Sequence, residues 1–265
     1  MPVAHLLIRA EPGYRRESFA AGLRAAGYEI AGEPRATPSR DDLLIIWNRY
    51  SRYHDTALKF EAVGARVVVA ENGPLGRDWR GQAWYSVVEG APAGAGRWLD
   101  GGPTRWDGLD VNLCEWRKGG REVIVLAQRG IGPPGVRQPD GWHLKAAERF
   151  RTAGFRVRIR EHPGERQPVK SLEEDLEDAR FVVTWASGAA IKALIWGVPV
   201  VYGFSQWIAA KAATPIDCAP ADCDWAPPEV DRLPALRRLA WSMWQTREIA
   251  AGLPFQALDM WRSGA

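Results

Sequence analysis

The sequence predicts an α/β fold with mostly parallel sheets, built as two halves of similar construction. Strand-like and helix-like segments alternate along most of the chain, as in folds made of βαβ units. Glycines close several helical segments. The alternation is interrupted once, in a glycine- and tryptophan-rich stretch from about residue 72 to 121. We therefore predict domains over 1–118 and 119–235, followed by C-terminal helices over 236–265.

In the first half, short apolar runs predict four strands and amphipathic segments predict two helices. The strands are expected over 3–10, 28–32, 41–47 and 65–71, and the helices over 17–27 and 51–63.

The second half repeats the pattern. Strands are predicted over 121–128, 155–161, 181–186 and 199–203; helices are predicted over 141–154, 171–179, 187–197 and 236–252. Ser171 and Glu174 form the sequence signature of a capping box at the start of the second of these helices.

Composition excludes several classes of protein. The chain has 265 residues, of which 46% are hydrophobic and 25% charged, and it lacks an apolar run of the about 18 residues that a spanning helix needs. The first residues do not resemble a signal peptide, and three cysteines are too few for a disulfide framework, so we expect a cytoplasmic protein. A net charge of +3 is far from that of a protein that holds nucleic acid by charge alone.

Two residue types are over-represented. Arginine outnumbers lysine 29 to 6, and there are 14 tryptophans. Arginine suits phosphates and carboxylates, and tryptophan stacks on sugars and bases, although a GC-rich genome and ordinary core tryptophans would give the same counts.

Two facing α/β halves would place a ligand cleft at the carboxyl ends of both sheets. In the second half, Ser187 is a natural N-cap and Gly188 lets a ligand approach the first amides of the helix, which is a suitable site for phosphate. We add Lys192 of the same helix to the predicted donor-binding residues. The alternative is a structural βαβ junction without a ligand.

Two further loops of the second half are candidates. His162, Pro163 and Gly164 form a sharp turn at a strand end, where the histidine would contact a ligand or serve only the structure. After strand 121–128, Arg129 and Gly130 could contact a phosphate or the edge of uracil, or the arginine could simply pair with a carboxylate. The glycines that follow resemble a dinucleotide fingerprint, but Pro133 and Pro134 prevent the required helix start, so we reject an NAD site.

In the first half, Glu71 lies where a strand ends and the chain turns at Asn72 and Gly73. A carboxylate held on a strand end suits a general base, although it could also cap the turn. Two other strand ends offer residues for an acceptor, or solvated loop charges: Asn48, Arg49 and Tyr50, and Tyr14, Arg15 and Arg16.

With these motifs assembled, the chain resembles the GT-B glycosyltransferases, which have two facing Rossmann-like domains and C-terminal helices that pack back on the first. Glu71-Asn72-Gly73 resembles the acidic-x-Gly motif of bacterial sialyl- and capsule-type transferases, whose acid is the catalytic base. His162-Pro163 is similar to their donor-binding His-Pro motif, and Ser187-Gly188 stands where they place a serine motif on the donor phosphate. The sequence departs from them at Asn72, which is not acidic, and at Gly188, which replaces a second Ser or Thr.

The short length, the 94–98 segment and the 128–135 loop are most similar to small phage-type glycosyltransferases, some of which modify hydroxymethylated pyrimidines in DNA. That resemblance implies transfer of glucose from UDP-glucose to 5-hydroxymethylcytosine in DNA, in the host cytoplasm, without a metal or other cofactor. Trp84, with Trp79 and Trp98, would stack on a flipped base or on a sugar acceptor. The candidate phosphate contacts are Arg15, Arg16, Arg49, Arg52, Arg77 and Arg80.

Two other functions stay open. One is a capsule- or lipopolysaccharide-type glycosyltransferase that uses a CMP- or UDP-sugar. The other is a nucleotide-sugar- or glycan-binding module without catalysis.

Overall fold

The computed structural model describes residues 2–34, 37–76, 78–92, 95–164, 170–219 and 222–263. It divides the chain into two compact units. The first unit comprises Met1–Gly102, Gly132–Val136 and Ala240–Ala265, and the second comprises Pro103–Ile131 and Arg137–Leu239.

The first unit holds six strands in the order β11-β5-β4-β3-β1-β2. Their bounds are β1 Val3–Leu7, β2 Glu29–Ala31, β3 Leu43–Trp47, β4 Arg66–Asn72, β5 Trp84–Glu89 and β11 Met243–Gln245. Its helices are α1 Arg16–Ala25, α2 Arg52–Ala62, α8 Thr246–Ala250 and α9 Leu253–Ser263.

The second unit holds five parallel strands in the order β10-β9-β8-β6-β7. Their bounds are β6 Glu122–Leu126, β7 Arg156–Arg160, β8 Ala179–Thr184, β9 Val200–Tyr202 and β10 Thr214–Pro215. The remaining helices are α3 Thr104–Asp107, α4 Trp142–Thr152, α5 Leu172–Asp175, α6 Gly188–Ile195 and α7 Leu233–Ala240, the last of which ends at the boundary between the units.

The central strands are buried on both faces, which explains their unbroken apolar sequence. The residues from Leu43 to Ile46 and from Val67 to Ala70 are at most 2% exposed. In the second unit, Phe150, Phe155 and Phe181 pack edge to face with ring centroids 5.3–5.8 Å apart, between α4 and the sheet. The prediction of an α/β protein with two halves is therefore confirmed.

Two predicted helices are wrong, and one stretch without a predicted element contains two. The stretch from 72 to 121, where the alternation is interrupted, holds β5, which pairs with β4, and the short helix α3. The predicted helix over 236–252 is broken by β11, which pairs antiparallel with β5. The predicted helix over 171–179 is only the single turn α5, although its capping box is confirmed.

The C-terminal segment belongs to the first unit. Besides the β11 pairing, the Thr246 amide donates to the Ala83 carbonyl at 3.3 Å. In α9, the Asp259 carboxylate accepts a hydrogen bond from Arg66 in β4, and Arg66 also pairs with buried Glu89 at 3.3 Å. The prediction that C-terminal helices pack back on the first half is confirmed, with a short strand in front of them.

Candidate functional site

The loops that follow β1, β3 and β4 form the carboxyl edge of the first unit's parallel strands. In parallel α/β sheets this edge is where ligands bind. It brings together the three predicted groups of first-half residues, namely those after Ile8, those after Trp47 and Glu71 itself.

Glu71 is positioned by the sheet. It lies within β4, is half-buried, and stands opposite buried Ser86 of β5. The turn that follows is fixed because the Gly73 amide donates to the Trp84 carbonyl at 3.0 Å. A Cβ on Gly73 would lie 3.1 Å from the Cβ of Trp84, which explains the glycine. A paired strand therefore holds this carboxylate, as a general base requires.

Three aromatic side chains form a row at the same edge, which we call the aromatic row: Tyr14, Trp47 and Tyr85. The Tyr14 and Trp47 rings meet edge to face at 4.8 Å, and those of Trp47 and Tyr85 at 5.9 Å. The Tyr85 hydroxyl donates to the Gly13 carbonyl at 3.0 Å, which fixes the loop that holds Tyr14. Tyr14 and Trp47 are half-buried, and the Arg9 guanidinium lies over the Tyr14 ring at 5.6 Å.

The backbone at this edge is strained. Arg15, Asn48 and Ser51 have φ values of 52°, 55° and 48°, in a region that non-glycine residues rarely adopt. Asn48 is held there in part because its amide donates to the Ala70 carbonyl at 2.9 Å. Strain of this kind collects at functional sites, because surrounding structure must stabilise it.

Two predicted acceptor contacts are structural instead. Arg49 is buried and makes a two-pronged ion pair with Glu61, both contacts at 2.6 Å, and also donates to the Gly90 carbonyl. Arg16 donates to the carbonyls of Leu6 and Ile8 at 2.5 and 2.9 Å. The sequence did not distinguish these guanidinium groups from free ones because their partners come from distant segments or from the backbone.

The tryptophans predicted to stack on an acceptor also pack inside the unit. Trp84 is 6% exposed and Trp98 is 3% exposed, so neither displays a ring face. Trp79 is half-buried and packs edge to face on Trp84 at 5.9 Å. The Arg80 guanidinium lies over the Trp79 ring.

Other predicted acceptor contacts remain at the surface. Tyr50 is exposed and lies 6.4 Å from Tyr53, whose ring is covered by the Arg52 guanidinium at 5.1 Å. Arg15 is also exposed. Arg77, a candidate phosphate contact, and Gly94, of the 94–98 segment, lie outside the described residues.

In the second unit, the turn between β8 and α6 is tied to its neighbours by side chains. The Ala186 amide donates to Gln128 Oε1, from the end of β6, at 2.8 Å. The Ser187 amide donates to Thr184 Oγ1 at 2.9 Å, and Ser187 Oγ accepts from the Ala189 amide at 3.2 Å, so Ser187 is the N-cap as predicted. Within the described part of the chain, the exposed Gly188 has no partner for its amide, which is available to an anion at the positive end of α6.

His162 follows β7 at the same edge. Its Nδ1 accepts from the Gly164 amide at 2.9 Å, so the neutral ring carries its proton on Nε2. Partial burial, with the positive charges of Arg129 and Arg160, lowers the pKa of His162 below its usual range. At neutral pH the imidazole is an uncharged donor of one N–H group, next to two cations.

The other predicted donor-binding residues differ in their exposure to solvent. Arg129 is exposed, whereas Lys192 is half-buried within α6, and Pro163 is an exposed part of the turn after His162. Gly130 has φ 65° in a loop, and α4 begins only at Trp142, so these glycines do not open a helix. This agrees with the rejection of a dinucleotide fingerprint.

The alternating arginines of β7 pair with carboxylates of their own unit. Arg156 and Arg158 pair with Glu122 at 2.9 and 3.1 Å, and Arg158 and Arg160 pair with Asp175 at 2.7 and 3.0 Å. The arginine face of this edge strand is therefore an ion-pair network.

The comparisons with known proteins support the fold. No protein-family model and no curated protein matches the sequence. Two solved structures from Thermosulfurimonas dismutans are similar, both of KpsC. Its β-Kdo 2,7 transferase is 13% identical, with a TM-score of 0.56 over 96% of this chain and 98% of the other. Its β-Kdo 2,4 transferase is 12% identical, with a TM-score of 0.50 over 91% and 90%. The predicted fold class, two Rossmann-like units of the GT-B type, is confirmed.

Two classes of feature are missing from the described part of the chain. None of its helices is long and apolar enough to cross a membrane. Nor does it bring together three or more side chains of the types that hold a metal ion.

Proposed function

We propose that the protein is an inverting glycosyltransferase that moves a sugar from a nucleotide-sugar to an acceptor hydroxyl. The observation that supports this most strongly is the different chemistry at the carboxyl edges of the two units. One edge has a strand-held carboxylate beside aromatic rings, and the other has a helix start, a neutral imidazole and an exposed arginine. Both occur on a fold shared with two sugar transferases.

The second unit binds the donor in this proposal. The Gly188 amide and the α6 dipole take a phosphate oxygen, His162 Nε2 donates to another, and Arg129 supplies a positive charge. These groups stabilise the negative charge that grows on the leaving nucleotide when the bond to the anomeric carbon breaks. Pro163 and Gly130 shape the two loops, and Lys192 adds charge from the same helix.

The first unit binds the acceptor, and Glu71 is the general base. Its carboxylate takes the proton of an acceptor hydroxyl as that oxygen attacks the anomeric carbon. The new glycosidic bond forms on the face opposite the departing phosphate, so the configuration inverts. Tyr14 and Tyr50 offer aromatic faces to a sugar, and Asn48 and Arg15 offer polar groups. The reaction requires Glu71 to reach the bound donor during turnover.

For the acceptor we favour a saccharide of the capsule or lipopolysaccharide type, with a CMP- or UDP-sugar as the donor. Both similar structures are Kdo transferases by name, and Kdo is an acidic sugar. Hydroxymethylated DNA is the second candidate, with UDP-glucose as donor. Its weakness is that two of the six candidate phosphate contacts, Arg16 and Arg49, are occupied inside the unit.

Mass spectrometry of acceptors after incubation with a panel of donors tests the proposal. The donors are CMP-Kdo, CMP-sialic acid and UDP-glucose, and the acceptors are acidic oligosaccharides and 5-hydroxymethylcytosine DNA. We expect an oligosaccharide to gain the mass of one sugar residue. A gain on DNA would instead select the second candidate. Donor binding without transfer to any acceptor would leave a binding module and contradict the proposed enzyme.

A further inference from the structure

A group of three aromatic side chains, which we call the platform, lies near the start of α6 in the second unit. It consists of Trp142 at the beginning of α4, Trp185 after β8 and Phe204 after β9. The Trp142 and Trp185 rings meet edge to face at 5.4 Å, and Trp185 stacks on Phe204 at 5.6 Å with an interplanar angle of 24°. Phe204 is buried, whereas both tryptophans are half-buried.

The backbone of Gly203 holds the two tryptophans in place. A Cβ at this residue would lie 2.4 Å from Cζ2 of Trp142 and 2.8 Å from Cε3 of Trp185. The Gly203 and Phe204 amides donate to the carbonyls of Thr184 and Trp185 at 2.9 and 3.2 Å. The platform is therefore a fitted arrangement in which a larger residue at 203 would displace both rings.

A buried polar atom lies in the segment that leads into Trp142. Gln138, four residues before Trp142, is 5% exposed, and its Nε2 faces His143 Nδ1 at 3.1 Å. Among the described residues, its Oε1 has no hydrogen-bond partner. Buried amide oxygens are almost always paired, so this one requires a partner that the described residues do not supply.

We infer that the platform and Gln138 form the subsite for the nucleobase of the donor, which rests on the proposed function. A planar base stacks on one of the two half-buried indole rings, Trp142 or Trp185, and meets the other edge to face. The Oε1 atom of Gln138 accepts a hydrogen bond from an N–H group on the base edge, either the cytosine 4-amino group or uracil N3–H. Because Trp185 lies two residues before Ser187, a nucleoside held here has its phosphates directed to the amide of Gly188.

Calorimetric titration of the full chain with CMP and with UMP tests the inference. We expect Trp185→Leu and Trp142→Leu to weaken binding of the preferred nucleotide about tenfold or more. Gly203→Ala should do the same by displacing both rings. Gln138→Ala should weaken it about fivefold and reduce the preference between CMP and UMP.

Trp225→Leu is the matched control. Trp225 is also half-buried in the second unit, but it packs on Phe181 at 5.5 Å, near the amino end of β8. This variant should bind as the wild type does, and circular dichroism should show that all variants remain folded. Unchanged affinity in both Trp185→Leu and Gln138→Ala would overturn the nucleobase subsite alone. If the wild type binds neither CMP, UMP nor their sugar conjugates, the proposed function fails as well.

Discussion

The carboxyl edges of the two units are built on the same βα scaffold but present opposite chemistry. In the first unit this edge has aromatic rings, a carboxylate and three residues with strained backbone, beside a mixed sheet. In the second unit, a wholly parallel sheet presents a helix start, an imidazole and arginine. Similar folds therefore do not imply similar ligands, because the loops after the strands decide what each edge attracts.

The arginines at the two edges also have different roles. At the first edge, Arg16 and Arg49 satisfy carbonyls and a carboxylate of their own unit. At the second edge, Arg129 is exposed and lies close enough to His162 to lower its pKa. An excess of arginine in the sequence thus has two different uses, one structural and one suited to an anionic ligand.

The largest expected effect is the loss of catalysis in Glu71→Gln. The amide cannot accept the acceptor's proton, so turnover should fall by a factor of about 10² to 10⁴, while donor affinity stays unchanged. Initial rates of sugar transfer and calorimetric titration with donor measure the two quantities. Glu29→Gln, an exposed glutamate of β2 in the same sheet, is the control. Transfer at the wild-type rate by Glu71→Gln would remove this carboxylate from the mechanism.

The next effect tests the structural use of arginine at the first edge. Arg49→Ala leaves Glu61 and the Gly90 carbonyl without their partner, so we expect the free energy of unfolding to fall by about 2 kcal/mol. Urea titration measures it, and Arg24→Ala, at an exposed position of α1, should change it by about 0.5 kcal/mol or less. Equal stability of the two variants would mean that the buried ion pair is not needed for folding.

Arg129→Ala should have a smaller effect, on ligand binding instead of stability. Removing this exposed charge should cost about 1 kcal/mol of donor binding, or about fivefold in affinity, and flatten its salt dependence. Donor titrations at low and high salt measure both. Arg121→Ala is the control. Arg121 lies just before β6, is exposed, and pairs with Asp178. The same loss in both variants would show that net charge alone, and not the strand edge, attracts the donor.

The smallest effect is a pKa shift at His162. In the free protein its pKa lies below the usual range, so the ring gains its proton only as the pH falls below that range. A bound phosphate favours the charged ring and opposes the repulsion from Arg129 and Arg160, so the pKa should rise when nucleotide binds. Proton NMR titration of the imidazole measures it, with His54 of the first unit as reference. A pKa that nucleotide leaves unchanged would place the phosphates away from His162.

The sequence predicted well what depends on local pattern. The apolar runs located β1, β3, β4, β6 and β8, and the N-cap role of Ser187 followed from residue type and position. The sequence did not predict contacts between residues that lie far apart along the chain. The three residues of β11 sit within a helical pattern, and their partner β5 is far away in the chain. The partners of Arg49 and the contact between Trp142 and Trp185 likewise join separate segments, which periodicity does not reveal.

The most direct test of the proposed mechanism is a crystal structure of the protein with a nucleotide-sugar and an acceptor bound. We predict the phosphates at the Gly188 amide and His162 Nε2, and the acceptor hydroxyl within hydrogen-bond reach of Glu71, about 3 Å or one bridging water. The anomeric carbon would lie next to that hydroxyl. A bound donor whose anomeric carbon lies far from Glu71, or whose phosphates avoid α6, would contradict the proposal.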